Sequence, residues 1–360
     1  MNNINSLQAY VTLDLETRSR VDLLKQGGYR YMEDESTELL TACVRVHVGA
    51  NQVEQFTFSC LDGGGLQTSL ALIALKDCLN MVAGATCGNI WWVAHNADGF
   101  ERLALATGLF LAGTDFLFSL RGEHDPEPWQ WIDTATLCRM HGLPGGLGKA
   151  AKLLGVEQKQ ADGAKLIRLL SKPRKDGEFN APEDFPTEMA KLLDYNIQDV
   201  LVMEQVAEHL DLDVAPDYIR DAEALRELND RGVPIDAAHV RDCATAVSLK
   251  RDAARERLSE LTGGTATEEG RVTSEGQNAR LIAEFADMPR PPTSFDQAAR
   301  ADIAAALHVL PSSLAVTRGL EIISVVEEVK SASLGKYAAI EERSTQDGTL
   351  LCGNYLHAGA

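Results

Sequence analysis

Ala9-Tyr10-Val11-Thr12-Leu13-Asp14-Leu15-Glu16 alternates strictly between apolar and polar positions from Val11 onward. Val11, Leu13 and Leu15 fall on one face of an extended chain and Thr12, Asp14 and Glu16 on the other, which is the period of a β-strand. The same spacing sends the Asp14 and Glu16 carboxylates out side by side. Crowded carboxylates repel unless cations lie between them, and hard divalent ions such as Mg2+ take oxygen ligands of this type. The bland reading of the same pattern is a solvated strand face.

Working outward, strand-like runs recur at 41–48, 53–58, 90–94 and around 129–132. Helical patterns occupy 68–82, 99–111, 147–154, 163–171 and 187–209. Strands followed by helices in this order predict a mixed α/β domain. Beyond Asp211-Leu-Asp-Val-Ala-Pro216 the chain turns helical, charged and Ala-rich over 217–260, with a break at Arg231-Gly232-Val-Pro234. Further helices are expected at 277–286, 296–307 and 313–341, after a Gly/Thr-rich loop.

The chain has 360 residues, 45% hydrophobic and 24% charged, which excludes a disordered chain, a collagen-like repeat and a small disulfide-stapled fold. Its net charge of -19 argues against a non-specific DNA coat protein. It leaves room for a nucleic-acid enzyme with a local basic track, and 149–175 offers one. Lys149, Lys152, Lys159, Lys165, Arg168, Lys172, Arg174 and Lys175 stand there against Glu157 and Asp162. The alternative is a solvated helix face. Seven scattered cysteines form no CxxC pair and suit a reducing compartment. Met1–Gln8 carries no signal-peptide pattern, and no apolar run approaches the roughly 20 residues of a membrane helix. The expectation is a soluble, cytoplasmic protein with no membrane partner.

Two further elements carry chemistry. The apolar strand Ile90-Trp-Trp-Val-Ala94 runs into His95-Asn96-Ala97-Asp98-Gly99-Phe100-Glu101 and then a helix, so Glu101 stands where α/β sheets gather their sites. Asn96 as a helix cap, with Glu101 favourable in the first turn, is the plain alternative. Within 187–209, Tyr195 and Asp199 lie four apart and share one helix face, which is also the spacing of an ordinary surface hydrogen bond.

Taken together, Asp14-Leu15-Glu16-Thr17, Asn96…Phe100-Glu101 and Tyr195-(x)3-Asp199 resemble the three motifs of the DEDD superfamily of 3′→5′ exonucleases, in the variant that uses Tyr. One departure is Glu101, where the superfamily usually carries Asp. Asp133-Thr134…Leu143-Pro-Gly-Gly-Leu147…Lys149-Ala-Ala-Lys-Leu-Leu-Gly155 resembles the editing domain of phage-type family A DNA polymerases. Leu228-Asn-Asp-Arg-Gly-Val-Pro-Ile-Asp236 is similar to the approach to the polymerase thumb, and Lys330–Tyr337 with Asp347–Ala360 to the entry of the palm.

The resemblance implies an RNase H-like exonuclease domain with a mixed sheet over 1–212, a mainly helical thumb-like region over 213–345, and a start of palm over 346–360, truncated before the polymerising motifs. It implies hydrolysis of single-stranded DNA 3′ ends to nucleoside 5′-monophosphates, as the proofreading part of a polymerase. Two Mg2+ ions, or Mn2+, would be held by Asp14, Glu16, Glu101 and Asp199, with Tyr195 orienting the attacking water. Thr17, Asn96, Phe100, Lys172 and Arg174 are the candidate substrate contacts, and Phe100 and Met140 are candidate stacking surfaces that are also plausible core. Expected partners are DNA, as a single-stranded 3′ end or primer–template, and the remaining polymerase portion. An RNase D-like exoribonuclease and a catalytically inactive DNA-binding module are the alternatives. The chain is expected not to extend a primer, and residues from about 345 onward to be poorly ordered or aggregation-prone in isolation, since an unfinished sheet leaves an exposed edge.

Overall fold

The computed structural model describes residues 3–49, 52–62, 66–107, 110–111, 114–115, 130–156, 163–212, 218–263, 274–330 and 335–353. It forms two compact units, Met1–Ile235 with Glu342–Ala360, and Asp236–Glu341.

The first unit is built on β1 (Ala9–Arg18), α1 (Leu23–Glu33), β2 (Glu38–Val48), β3 (Gln52–Ser59), α2 (Leu66–Thr86), β4 (Trp91–Ala94), α3 (Glu101–Thr107), a short pair β5 (Phe110–Leu111) and β6 (Thr114–Asp115), and β7 (Trp131–Asp133). Then come α4 (Thr134–Met140), α5 (Leu147–Leu154), α6 (Gly163–Leu170), α7 (Pro186–Glu208) and α8 (Tyr218–Arg231). Five strands make one mixed sheet in the order β3-β2-β1-β4-β7. β1, β2 and β3 pair antiparallel, while β4 and β7 add in parallel. This is an α/β fold compatible with the expected RNase H-like sheet. Residues 116–129 lie outside the described residues, so the strand expected around 129–132 is seen as Trp131–Asp133.

Alternation on β1 divides the core as the sequence predicts. Val11, Leu13 and Leu15 join Leu72, Leu75 and Leu79 of α2 with Trp92 and Trp131 on one side. Trp92 and Trp131 are register partners on adjacent strands with ring centroids 5.8 Å apart, a contact worth about 0.5–1.5 kcal/mol beyond its buried area. The polar face is not solvated, because α7 covers it. Thr12 is fully buried and donates to Glu204 Oε1 at 2.5 Å, while Arg45 and His47 of β2 close on the same carboxylate. Tyr10 stacks on the His47 ring at 4.2 Å. A buried carboxylate persists only when paired and hydrogen-bonded, so Glu204 fixes α7 against β1 and β2.

Two helices were not expected. α1 contains Gly27-Gly28; Asp22 caps its start and Gly27 kinks it at φ +81. Gly28 is needed for a close approach, since a Cβ there would fall 2.1 Å from the Gly99 carbonyl oxygen. α4 is started by Asp133, whose Oδ1 accepts from the Ala135 and Thr136 amides. α2 is the most apolar of the long helices, by composition rather than by an unbroken run. Lys76 and Asp77 interrupt the run in sequence, yet the helix continues through them. Its window Ser69–Thr86, with mean hydropathy 1.3, is long and apolar enough to cross a membrane. A third of that window is buried, through Leu72, Leu75, Cys78, Leu79, Val82 and Thr86.

The compact units do not divide at the expected 212. α8 packs into the first unit through buried Ala222 and Arg226. Residues 342–353 return to it, where β9 (Leu350–Leu351) pairs with β8 (Val233–Pro234) and Arg30 Nε donates to the Glu342 carbonyl at 3.3 Å. The expected disorder from 345 is therefore corrected for 345–353. Both strands are short, and Thr345 and Thr349 are held by Asp347. Residues 354–360 lie outside the described residues.

The second unit is helical, as expected: α9 (Ala237–Leu261), α10 (Ser274–Ala283), α11 (Gln297–His308), α12 (Leu314–Lys330) and most of α13 (Lys336–Arg343). Leu258, Leu281, Phe285, Phe295, Ile303, Ile322 and Val326 form its core.

Candidate metal centre

β1 delivers two carboxylates and α7 a third. The pairing of β1 with β2 slips between Glu16 and Thr17, leaving Leu40 as an extra residue on β2. Bulges of this kind bend a strand and re-aim its side chains. One ligand oxygen each from Asp14, Glu16 and Asp199 lies within 4.8 Å of the others. Asp199 is buried, and the other two are partly so.

Glu101 opens α3, where it is 3% exposed. Burial pushes its carboxyl well above the ordinary range, and the charges of Asp14, Asp133 and Glu16 add to this. Its Oε2 has no hydrogen-bond partner among the described residues. Three acidic side chains therefore converge, and a fourth, Glu101, lies within their electrostatic reach with an orphaned buried oxygen. Oxygen-only donors in this number fit a hard divalent cation and give no preference for a soft one. The residues present suit Mg2+ or Mn2+.

Around the carboxylates, the expected contacts fall into two groups. Thr17, Phe100 and Lys172 line a cleft of about 550 Å3 together with Glu16, Tyr31 and Ser171. The Thr17 hydroxyl meets the Tyr31 hydroxyl at 2.8 Å, and the Tyr31 and Phe100 rings are 5.9 Å apart. Burial, reinforced by the Glu16 charge, raises the Tyr31 hydroxyl to about 12. Asn96 and Arg174 do not line that cleft. Asn96 is exposed at φ +73, and its amide donates to Asp133 Oδ1 at 2.9 Å; its side chain caps no helix. Arg174 is engaged by Asp176 at 2.9 Å. Met140 packs on the core between α4, α5 and α7. Of the basic track, Lys149 and Lys152 lie on α5 and Lys165 and Arg168 on α6, while Lys159 falls outside the described residues.

Tyr195 is buried one turn before Asp199. Its ring packs against the start of α6, where Gly163 leaves it room, and joins Leu40, Leu166, Leu170, Met189 and Leu192. Asn196 was missed. It is fully buried, and its Nδ2 donates to Asp14 Oδ2 at 2.5 Å, fixing that carboxylate's orientation. Its position three residues before Asp199 puts it on the same helix face, the one signal available in the sequence.

No protein-family model matches the chain. It is similar to a DNA polymerase. That protein, from Bacillus phage SP02, is 31% identical over 241 residues, which is 64% of this chain and 32% of the polymerase. The chain thus spans about a third of the length of the relative it matches.

Proposed function

We propose that this protein is a divalent-metal-dependent 3′→5′ exonuclease acting on single-stranded DNA ends, the proofreading part of a DNA polymerase. The observation that carries the reading is the convergence of Asp14, Glu16 and Asp199 within 4.8 Å beside the buried Glu101. Similarity to a phage DNA polymerase favours DNA over RNA and an intracellular setting. On the same reading, 213–345 is a thumb-like region and 346–360 the start of a palm.

Asp14, Glu16, Asp199 and Glu101 would hold the cations. Two ions at such a centre lower the pKa of bound water and stabilise charge on the attacking and leaving oxygens. Asn196 keeps Asp14 from rotating away. Tyr195 orients the attacking water. The water oxygen bonds to phosphorus, the P–O3′ bond breaks, and the shortened strand keeps a 3′ hydroxyl while a nucleoside 5′-monophosphate leaves. Phe100 and Tyr31 offer apolar surface to a terminal base, and Lys172 a charge to its phosphate. A frayed end enters most readily because unstacking costs a few kcal/mol, least at a mismatch.

A 5′-labelled DNA oligonucleotide with Mg2+ or Mn2+ should shorten in a ladder. Asp14→Ala should abolish this, whereas Tyr195→Phe should lose about 10²–10⁴-fold and keep a measurable rate. An intact oligonucleotide in the presence of folded protein and either metal overturns the reading. Faster degradation of the matching RNA would reassign the substrate.

A further inference from the structure

Glu101 must be held where it is repelled. Its carboxyl is buried within the electrostatic reach of Asp14 and Glu16, so the start of α3 needs restraint from behind. That restraint comes from α8. Arg226 and Asp230 are one turn apart on α8, and their partners Asp98 and Arg102 are four residues apart, on either side of Glu101. The two ion pairs have opposite polarity, so the match is register-specific: a positive then a negative charge on α8 meets a negative then a positive one.

Each contact is well made. Arg226 is 1% exposed, pairs through Nε with Asp98 and donates Nη2 to the Trp131 carbonyl at 3.1 Å. Arg102 grips both oxygens of Asp230 at 2.8 Å, the bidentate geometry that adds specificity to charge. Tyr29 of α1 donates its hydroxyl to the same Asp230. From the α1 side, Gly28 sits against the Gly99 backbone.

We propose that Arg226 and Asp230 are positioning residues for the metal centre, clamping residues 98–102 so that Glu101 stays among the other carboxylates. This rests on the exonuclease reading. It makes α8, which lies beyond the expected nuclease boundary, part of the machinery that assembles the site. Partners that orient metal ligands from outside typically matter by about 10–100-fold in metal affinity or activity.

The test uses the full chain. Mn2+ binding is titrated by calorimetry for wild type, Asp230→Asn, Arg102→Glu and the charge-swapped Arg102→Glu/Asp230→Arg, with unfolding temperature followed in EDTA. Arg257→Gln, which breaks the exposed pair with Glu321, serves as control. Asp230→Asn and Arg102→Glu should each weaken Mn2+ binding about 10-fold or more while still unfolding cooperatively, and should lower kcat more than they raise KM. The swap should recover most of the affinity, and the control should bind as wild type. Unchanged Mn2+ affinity in both single variants overturns the clamp, as does a swap that restores unfolding temperature without affinity. If wild type itself binds no Mn2+ and leaves the oligonucleotide intact, the exonuclease reading fails and the clamp falls with it.

Discussion

Adding one methyl group at Gly163 should disable the site without touching a carboxylate. A Cβ there would lie 2.2 Å from Cε2, 2.7 Å from Cζ and 2.8 Å from Cδ2 of Tyr195. Carbon atoms rest about 3.5–4.0 Å apart, so the ring must retreat by roughly 1.3 Å or more. It has little room to do so, because Leu40, Leu166, Leu170, Met189 and Leu192 surround it. Overpacking of this kind costs about 1–3 kcal/mol. Gly→Ala in an open helix would instead stabilise by about 0.5–1 kcal/mol, so even the sign of the stability change is diagnostic. The hydroxyl moves with Cζ, and a 1 Å misplacement costs on the order of 10²-fold in rate. In the ladder assay at saturating Mg2+, Gly163→Ala should fall by about that factor with its metal midpoint unchanged. Combined with Tyr195→Phe, it should lose little more than the worse single variant, since both act through one hydroxyl. A folded Gly163→Ala at the wild-type rate, or losses that multiply in the double variant, refutes the reasoning.

Glu101→Gln should change how metal-free stability depends on pH. The folded carboxyl titrates above its unfolded value of 4.5, so its contribution is fully present below pH 4.5 and is lost as pH rises through the raised folded value, about 1.4 kcal/mol for each unit of elevation. In EDTA the variant should match wild type at low pH and exceed it at neutral pH; parallel curves would show that Glu101 is not held neutral. The same variant should lose most of the Mg2+-induced rise in unfolding temperature, and retention of the full rise would remove Glu101 from the ligand set. Glu204→Ala leaves Arg45 and His47 facing an emptied buried position, and should cost about 3–5 kcal/mol in urea unfolding; a loss under about 1 kcal/mol would mean the cluster does not anchor α7.

How much was legible follows from how local each signal is. Asp14 and Glu16 announce themselves by alternation, and Tyr195 and Asp199 by a one-turn spacing. Neither pattern says that α7 lies on the polar face of β1, so Thr12 read as solvated although it is fully buried. Glu101 was placed by its motif, but its depth depends on Gly28 meeting Gly99, a tertiary contact. Nothing in the sequence joins Arg226 and Asp230 to the site, because Asp98 and Arg102 lie 128 residues away. Charge counting over 149–175 stopped one residue short of Asp176, which pairs with Arg174.

The β8–β9 ladder has a temporal side. Its two halves, Val233–Pro234 and Leu350–Leu351, are separated by more than a hundred residues. At about 5–20 residues added per second, a ribosome needs on the order of 6–24 s to supply the second half after the first. Every side chain of the carboxylate centre, and the whole of α8 that braces it, is translated before that interval begins. The nascent chain can therefore set the geometry of its carboxylates early, while β8 waits unpaired until the late strand emerges.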